Sequence, residues 1–338
     1  MLKVIHPIVA AALAAGLALL VAAGPAEGAR VEGLYHAEAE LADGRDEAFR
    51  AALGKVLVRI MGRRDAAARP EVAELLENAA AYAQQFRQPA PDRLWVAFDG
   101  AALERELSRL GQPVWGPERP STLLWIAVDA GGGRRFVVAS GTELSEEGQI
   151  RAQVLAAAAE RGLPVVFPLM DAEDRARASF AEVWGGFEDS ILAASERYGV
   201  DAVLVGRLAA GDMAHGRWTL YGPDGAERWS GGVPDSMGRL ADRFAARFAV
   251  VDSGAGRIIQ VAVSGVEAVE DYGRVSTFLA GLTAVESVGV ESVERDRLVF
   301  RVAVRGEAAA LDEAVRLGGL LRPDRENLTH DLNYRVAR

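Results

Sequence analysis

The stretch Tyr198-Gly199-Val200-Asp201-Ala202-Val203-Leu204-Val205-Gly206-Arg207-Leu208 decides the fold class. A glycine closes one periodic segment, and the unbroken apolar triplet Val203, Leu204, Val205 follows within a few positions. A short apolar run bounded by turn residues predicts a strand covered on both faces, as in a sheet flanked by helices. Directly upstream, Phe187 to Tyr198 has helical spacing, with Gly199 as its stop. Before that come a helix from Ile150 to Arg161, stopped by Gly162, and a strand from Val165 to Leu169. Strands and helices that alternate in this way imply crossover connections and a partly parallel α/β sheet.

Working outward, Leu123 to Val128 and Phe136 to Ala139 flank Asp129-Ala130-Gly131-Gly132-Gly133. A phosphate cradle would need a helix beginning directly after the glycines. Arg134, Arg135 and an apolar β-like run follow instead, so the link reads as a hairpin loop. A second hairpin joins Trp218–Tyr221 to Arg228–Ser230 through Gly222-Pro223-Asp224-Gly225. An amphipathic helix, Leu240 to Phe248, closes a middle block spanning 120–251. Glycine- and proline-bearing joints bound it at Gly116 to Ser121 and at Asp252 to Gly256.

The N-terminal block, 30–115, starts with a strand from Leu34 to Leu41 and a helix from Arg45 whose Phe49, Leu53, Val56, Leu57 and Ile60 share one face. Gly62 stops it. A second helix is expected from Pro70, with Val72, Leu75, Leu76, Ala79, Ala83 and Phe86 in rhythm. A strand from Leu94 to Phe98 and a short helix through Leu103, Leu107 and Leu110 complete the block. Arg63 and Arg64, between the two long helices, read as solvated. The C-terminal block, 257–338, runs strand (Ile258–Val263), helix (Tyr272–Leu282), strand (Val288–Val293), strand (Leu298–Val304), helix (Ala308–Leu320), strand (Leu332–Val336). This βαββαβ order predicts a ferredoxin-like sandwich. Alternation from Leu298 to Val304 predicts one face of its sheet toward water. The chain is therefore expected to be multidomain, α/β in the middle and α+β at its ends.

At the N-terminus Lys3 precedes an apolar stretch from Ile8 to Ala23, followed by Gly24, Pro25 and Ala26. That is the layout of a secretory signal peptide over residues 1–26, too short to span a bilayer comfortably and cut after Ala26. The expected setting is the periplasm, with no transmembrane segment in the mature chain. The chain has no cysteine, so disulfides and thiolate metal sites are excluded, which suits a bacterial periplasm. Its formal charge of −10, with no Lys/Arg run, argues against nucleic acid as a partner. No cofactor is expected.

No catalytic motif is present. His6 leaves with the signal, and His36, His215 and His330 fall in different blocks without metal-ligand spacing. One acidic group, Asp171, Glu173 and Asp174, follows the strand Val165–Leu169, where open α/β sheets bind ligands. It is a candidate cation site, set against a solvated loop partly neutralised by Arg175 and Arg177. Trp184 and Phe187, beside Gly185-Gly186, could wall a ligand or partner surface or could pack into a core. A buried Trp184 would make Trp184→Ala cost about 3–5 kcal/mol.

Several stretches carry a family resemblance: VEGLYHAEA, ALGKVLVRIMGRR, LWVAFDGAALERELSRLGQPVWGPERPSTLLWIAV, GLPVVFPLMDAEDR, VWGGFEDSILAASERYGVDAVLVGRL and ALDEAVRLGGLL. Together they resemble the exported proteobacterial proteins grouped as domain-of-unknown-function family 2066, over nearly the whole mature chain. Apolar periodicity does not call for the Gln-Pro-Val-Trp…Glu-Arg-Pro or the Trp-Gly-Gly-Phe segment. More weakly, the middle block's YGVDAVLVGRL is similar to the last helix and strand of curli-secretion and flagellar-assembly envelope proteins. The family resemblance implies an envelope setting and transfers no catalytic residue. The expected function is non-enzymatic: a periplasmic accessory or assembly factor that binds another envelope protein. The alternative is a ligand-binding, metal-binding or hydrolytic protein using the Asp171 edge.

Overall fold

The computed structural model describes residues 29–141, 145–209, 213–222, 225–251, 257–294, 297–326 and 328–337. The expected signal at 1–26 and the joint at Asp252 to Gly256 lie outside the described residues, as does the centre of the Gly222–Gly225 turn.

Strand β1 (Ala29–Arg30) precedes β2 (His36–Glu40) and helix α1 (Arg45–Ile60). In α1 the expected face is buried throughout: Phe49, Leu53, Val56, Leu57 and Ile60 are at most 5% exposed. Asp46 and Glu47 in its first turn and Arg59 in its last suit the helix dipole. Gly62, at φ 67°, takes the left-handed conformation that lets the chain leave the helix.

The second helix departs from expectation. After the short α2 (Ala73–Glu77) and a 3₁₀ turn, residues Ala83–Ala90 form strand β3, antiparallel to β4 (Arg93–Phe98). The helical rhythm carried to Phe86 therefore ends at Asn78. Two contacts hold β3 extended: Phe86 meets the distant Phe49 edge-to-face at 5.6 Å, and the Arg87 guanidinium lies 4.6 Å from the ring centroid of its cross-strand partner Trp95. Pro89 is tolerable because β3 is an edge strand in the order β2-β4-β3. Helix α3 (Gly100–Arg109) follows, capped by the Asp99 side chain accepting from Ala102 N–H.

The middle block opens with β5 (Glu118–Arg119), which pairs antiparallel with β1. The hairpin β6 (Thr122–Asp129) and β7 (Arg135–Val137) comes next, then α4 (Glu146–Arg161) and the two-residue β8 (Val165–Val166). The segment before β9 holds three short helices: α5 (Ala172–Arg177), α6 (Phe180–Gly185) and α7 (Glu188–Ser195). Strands β9 (Ala202–Ala209), β10 (Gly216–Gly222) and β11 (Gly225–Gly231) precede α8 (Val233–Phe248). The sheet order is β11-β10-β9-β6-β7, with β8 beside the start of β6; β6 runs parallel to β8 and β9, and the other pairs are antiparallel. Helices α4 and α8 cover one face, over Leu124, Ile126 and Leu204; α5 to α7 cover the other, over Trp125, Val203 and Val205. The apolar triplet is thus enclosed on both sides. Gly206 leaves room for Trp218: a Cβ there would lie 2.6 Å from the indole.

The C-terminal block comprises β12 (Arg257–Ser264), α9 (Val269–Ala280), β13 (Val285–Glu294), β14 (Arg297–Val304), α10 (Ala308–Leu317), β15 (Leu321–Pro323) and β16 (Leu332–Val336). Its sheet order is β13-β14-β12-β16-β15. The last strand, β16, runs parallel to β12, while the short β15 takes the sense of the closing strand of a βαββαβ unit, one place further out. An extra strand is therefore inserted into the ferredoxin-like plan. Leu298, Phe300, Val302 and Val304 are buried under the helices. On the other face Val299 and Ala262, direct cross-strand partners, are also buried, so its centre is drier than the alternation predicts.

Among the described residues no helix is long and apolar enough to cross a membrane.

Candidate functional site

Asp171 is the N-cap of α5, not part of a solvated loop. Its carboxylate accepts from Glu173 and Asp174 N–H at 3.1 and 3.0 Å, satisfying donors that a helix start leaves open. The counter-charge comes from Arg197, whose guanidinium binds Asp171 through two bonds of 3.0 Å and lies 3.3 Å from Asp174 and 3.5 Å from Glu173. Arg177 pairs with Glu173 at 3.3 Å. The bond to Arg197, then the backbone N–H of Asp174, hold the Asp171 carboxyl down at about 2. Asp174 is fully buried and accepts from Met170 N–H and from the Tyr198 hydroxyl at 2.5 Å. Met170 is the one non-glycine with positive φ among the described residues, at 52°, and this bond fixes its left-handed turn. The three carboxylates are brought together, but around an arginine. Among the described residues no group of three or more His, Asp or Glu side chains is placed to hold a metal ion.

Trp184 and Phe187 separate. Trp184 is half-buried, stacked on Phe180 at 5.4 Å against the second face of the middle sheet. Phe187 is 60% exposed and folds back over Gly185, where a Cβ would meet its ring at 2.5 Å. Of the two readings for Trp184, packing against the core holds in part: it is partly buried against the second core of the middle block and not enclosed by it.

Sequence reading missed the most connected polar side chain. Arg119 is 0% exposed and lies 3.9 Å from the Trp115 ring centroid. Its five N–H groups meet five carbonyls: Nε to Gly116 at 2.8 Å, Nη1 to Arg161 and Gly162 at 3.0 Å, and Nη2 to Arg59 and Trp115 at 2.8 Å. Arg59 ends α1, and Arg161 and Gly162 end α4, so the guanidinium sits where two helix C-termini present unpaired carbonyls and negative dipole ends. Burial pushes its pKa well below the ordinary guanidinium range. Arg161 extends the joint, donating to Gly62 and Gly238 carbonyls at 3.1 Å and to Asp242 at 2.6 Å. The available signal was the Glu-Arg-Pro segment, which fits no apolar pattern. Arg64 is also engaged, with the Asp235 carbonyl at 2.8 Å and the Asp242 carboxylate at 3.3 Å, and Arg63 pairs with Asp65.

A cleft of about 470 Å³ lies between the middle and C-terminal blocks. Leu220 of β10, Phe244 and Phe248 of α8 and Leu317 of α10 form its apolar lining. Around the mouth, charges are paired: Arg243 with Glu227 at 3.5 Å, and Arg247 of α8 with Glu313 of α10 at 2.7 Å. The second pair spans the cleft from one block to the other. Asp201 reaches it from the start of β9, held by the Ser121 N–H and hydroxyl at 2.7 and 2.8 Å.

Residues 28–116 match the family described as Domain of unknown function (DUF8605). This corrects the expected resemblance to family 2066, since the match is to a different family and covers the N-terminal block. The further likeness to curli-secretion and flagellar-assembly proteins gains no support, and its strand-and-glycine pattern is one that many α/β sheets share. No curated protein and no solved structure matches the chain.

Proposed function

We propose that this chain is a non-enzymatic periplasmic protein of the bacterial envelope that acts by binding, an accessory or assembly factor whose ligand or partner segment occupies the cleft between α8 and α10. The observation that carries the reading is the cleft: an apolar lining of Leu220, Phe244, Phe248 and Leu317 under a rim of charges that already neutralise one another. Sites of this kind favour block boundaries, and this lining suits an apolar group or a partner's apolar side chains. The Arg247–Glu313 pair is partly exposed and contributes little to stability, so it can part as a ligand enters. The alternative at the Asp171 edge loses its support, because Arg197 already satisfies those carboxylates.

Photo-crosslinking in living cells tests the proposal. A photoreactive residue replacing Arg316, on the cleft rim, is expected to give a discrete adduct that the same residue at Glu47, on α1, does not. Identical adduct patterns at the two positions would contradict it.

A further inference from the structure

We propose that Arg207, Arg217 and Arg228 form a binding site for a phosphate-type oxyanion on the open part of the middle sheet, beside the turn joining α6 to α7. Arg207 and Arg217 are direct partners across β9 and β10. Arg228 on β11 is the partner of Thr219, two residues along the same face from Arg217. That face also carries Val203, Val205 and Tyr221, which lie in the core under α5 to α7. The helical cover ends at Gly186, against whose backbone the Arg207 guanidinium packs: a Cβ there would lie 2.6 Å from Nη2. Beyond Gly186 the sheet is open, and Arg217 and Arg228 are exposed.

Many arginines elsewhere in this acidic chain find carboxylates, as Arg135 does with Asp129, Arg197 with Asp171 and Arg239 with Glu227, and the buried Arg119 finds backbone carbonyls. Among the described residues Arg207, Arg217 and Arg228 have no ion pair, and the buried Nε of Arg207 has no hydrogen-bond partner. Burial, then Arg217 and Arg228, depress the Arg207 pKa. Like charges on directly opposed strand positions cost stability, and the Tyr221 side chain, hydrogen-bonded to Arg228, carries no full charge to neutralise them. Glu188, at the start of α7, acts on Tyr221 from the same side and leaves the group net positive.

Three guanidinium groups on adjacent strands, about 4.8 Å apart from strand to strand, exceed what a carboxylate uses. One planar fork satisfies both oxygens of a carboxylate, whereas a phosphate offers three or more oxygens and up to two charges. Exposed Phe187 stands next to Gly186 and gives the group bearing the phosphate an apolar edge. A soluble phosphorylated small molecule and an anionic phospholipid headgroup share this chemistry.

The whole chain is titrated with inorganic phosphate at constant ionic strength, and sedimented with phosphatidylglycerol or phosphatidylcholine vesicles. Saturable binding to phosphate, to phosphatidylglycerol vesicles or to both is expected, weakened at least about tenfold in Arg217→Gln/Arg228→Gln, since two charge-assisted contacts are lost. Phosphate binding without vesicle binding assigns the site to a soluble ligand; variant-sensitive binding to phosphatidylglycerol alone assigns it to a headgroup. The double variant keeps the half-buried Arg207 and is expected to melt higher than the parent without phosphate. Binding to neither probe, binding unchanged in the variant, or a lower melting temperature of the phosphate-free variant would overturn the proposal.

Discussion

Removing the guanidinium of Arg119 would orphan five carbonyls at once, two of them at the end of α4 and one at the end of α1. Each buried polar group left unpaired costs about 1–3 kcal/mol, and the space beside Trp115 would have to be refilled. Arg119→Met is therefore expected to cost about 3–5 kcal/mol, well short of the sum because the carbonyls will relax or admit water. Lysine is no substitute: its ammonium has three donors and cannot address five acceptors around a plane. Arg119→Lys should still cost roughly 2 kcal/mol, read as a shift in the urea midpoint at unchanged slope. A lysine variant as stable as the parent would show that the planar fork is not what holds the two helix ends together.

For α5 the decisive residue is its cap. Held at about 2 instead of the ordinary 3.8, Asp171 contributes stability that is complete above the ordinary value and disappears as pH falls through the lower one. Tyr198 acts at the other limit. Burial, then its bond to the Asp174 carboxylate, push its pKa up to about 12, so its contribution is complete below 10 and lost as pH rises toward 12. Asp171→Asn keeps a capping oxygen but loses the charge that Arg197 meets. Melting curves of this variant should show a flatter acid limb between about pH 4 and pH 2 than the parent, with the alkaline limb unchanged. An acid limb identical to the parent's would mean that other carboxylates set it. Trp184, half-buried on Phe180, is expected to cost about 1–3 kcal/mol on truncation to Ala instead of the full core penalty.

The same elements show what was legible. Long periodic helices and the apolar triplet could be read because many residues repeat one statement: α1, α4 and β9 lie where their spacing puts them. Helices α5 and α6, six residues each, carry too few positions for a period to emerge; their signals are the caps Asp171, which reads equally as part of an acidic loop, and Ser179. Ala83–Ala90 misled in the opposite way. Ala and Phe at helical spacing were accidental, and what decides the strand is Phe49, far away in sequence, together with Trp95 across the β3–β4 hairpin. The candidate site was less legible still. Carboxylates adjacent in sequence were visible, but Arg197, more than twenty residues on, was not assigned to them. The cleft and the arginine triad unite residues from separate strands and blocks, which no local pattern announces.

At the scale of the whole molecule, the joints differ in character. The N-terminal and middle blocks meet through buried polar contacts of Arg119 and Arg161 and through Gly62, where a Cβ would collide with Ala245. The middle and C-terminal blocks meet around a cleft bridged by a partly exposed ion pair. This second joint is also packed, since Val250 enters the C-terminal core and Gly116 lies directly against Thr283, and the cleft opens beside it. Since the chain has no cysteine of its own, a single introduced thiol reports on one place. The direct measurement is the rate at which Arg316→Cys, on the cleft rim, reacts with a thiol reagent that does not cross the inner membrane, in intact cells and in purified protein, with Glu47→Cys on α1 as reference. Both positions are expected to react in cells, and only position 316 is expected to react more slowly there than in purified protein. Equal rates at 316 in cells and in isolation would contradict an occupied cleft, and silence at both positions in cells would contradict export.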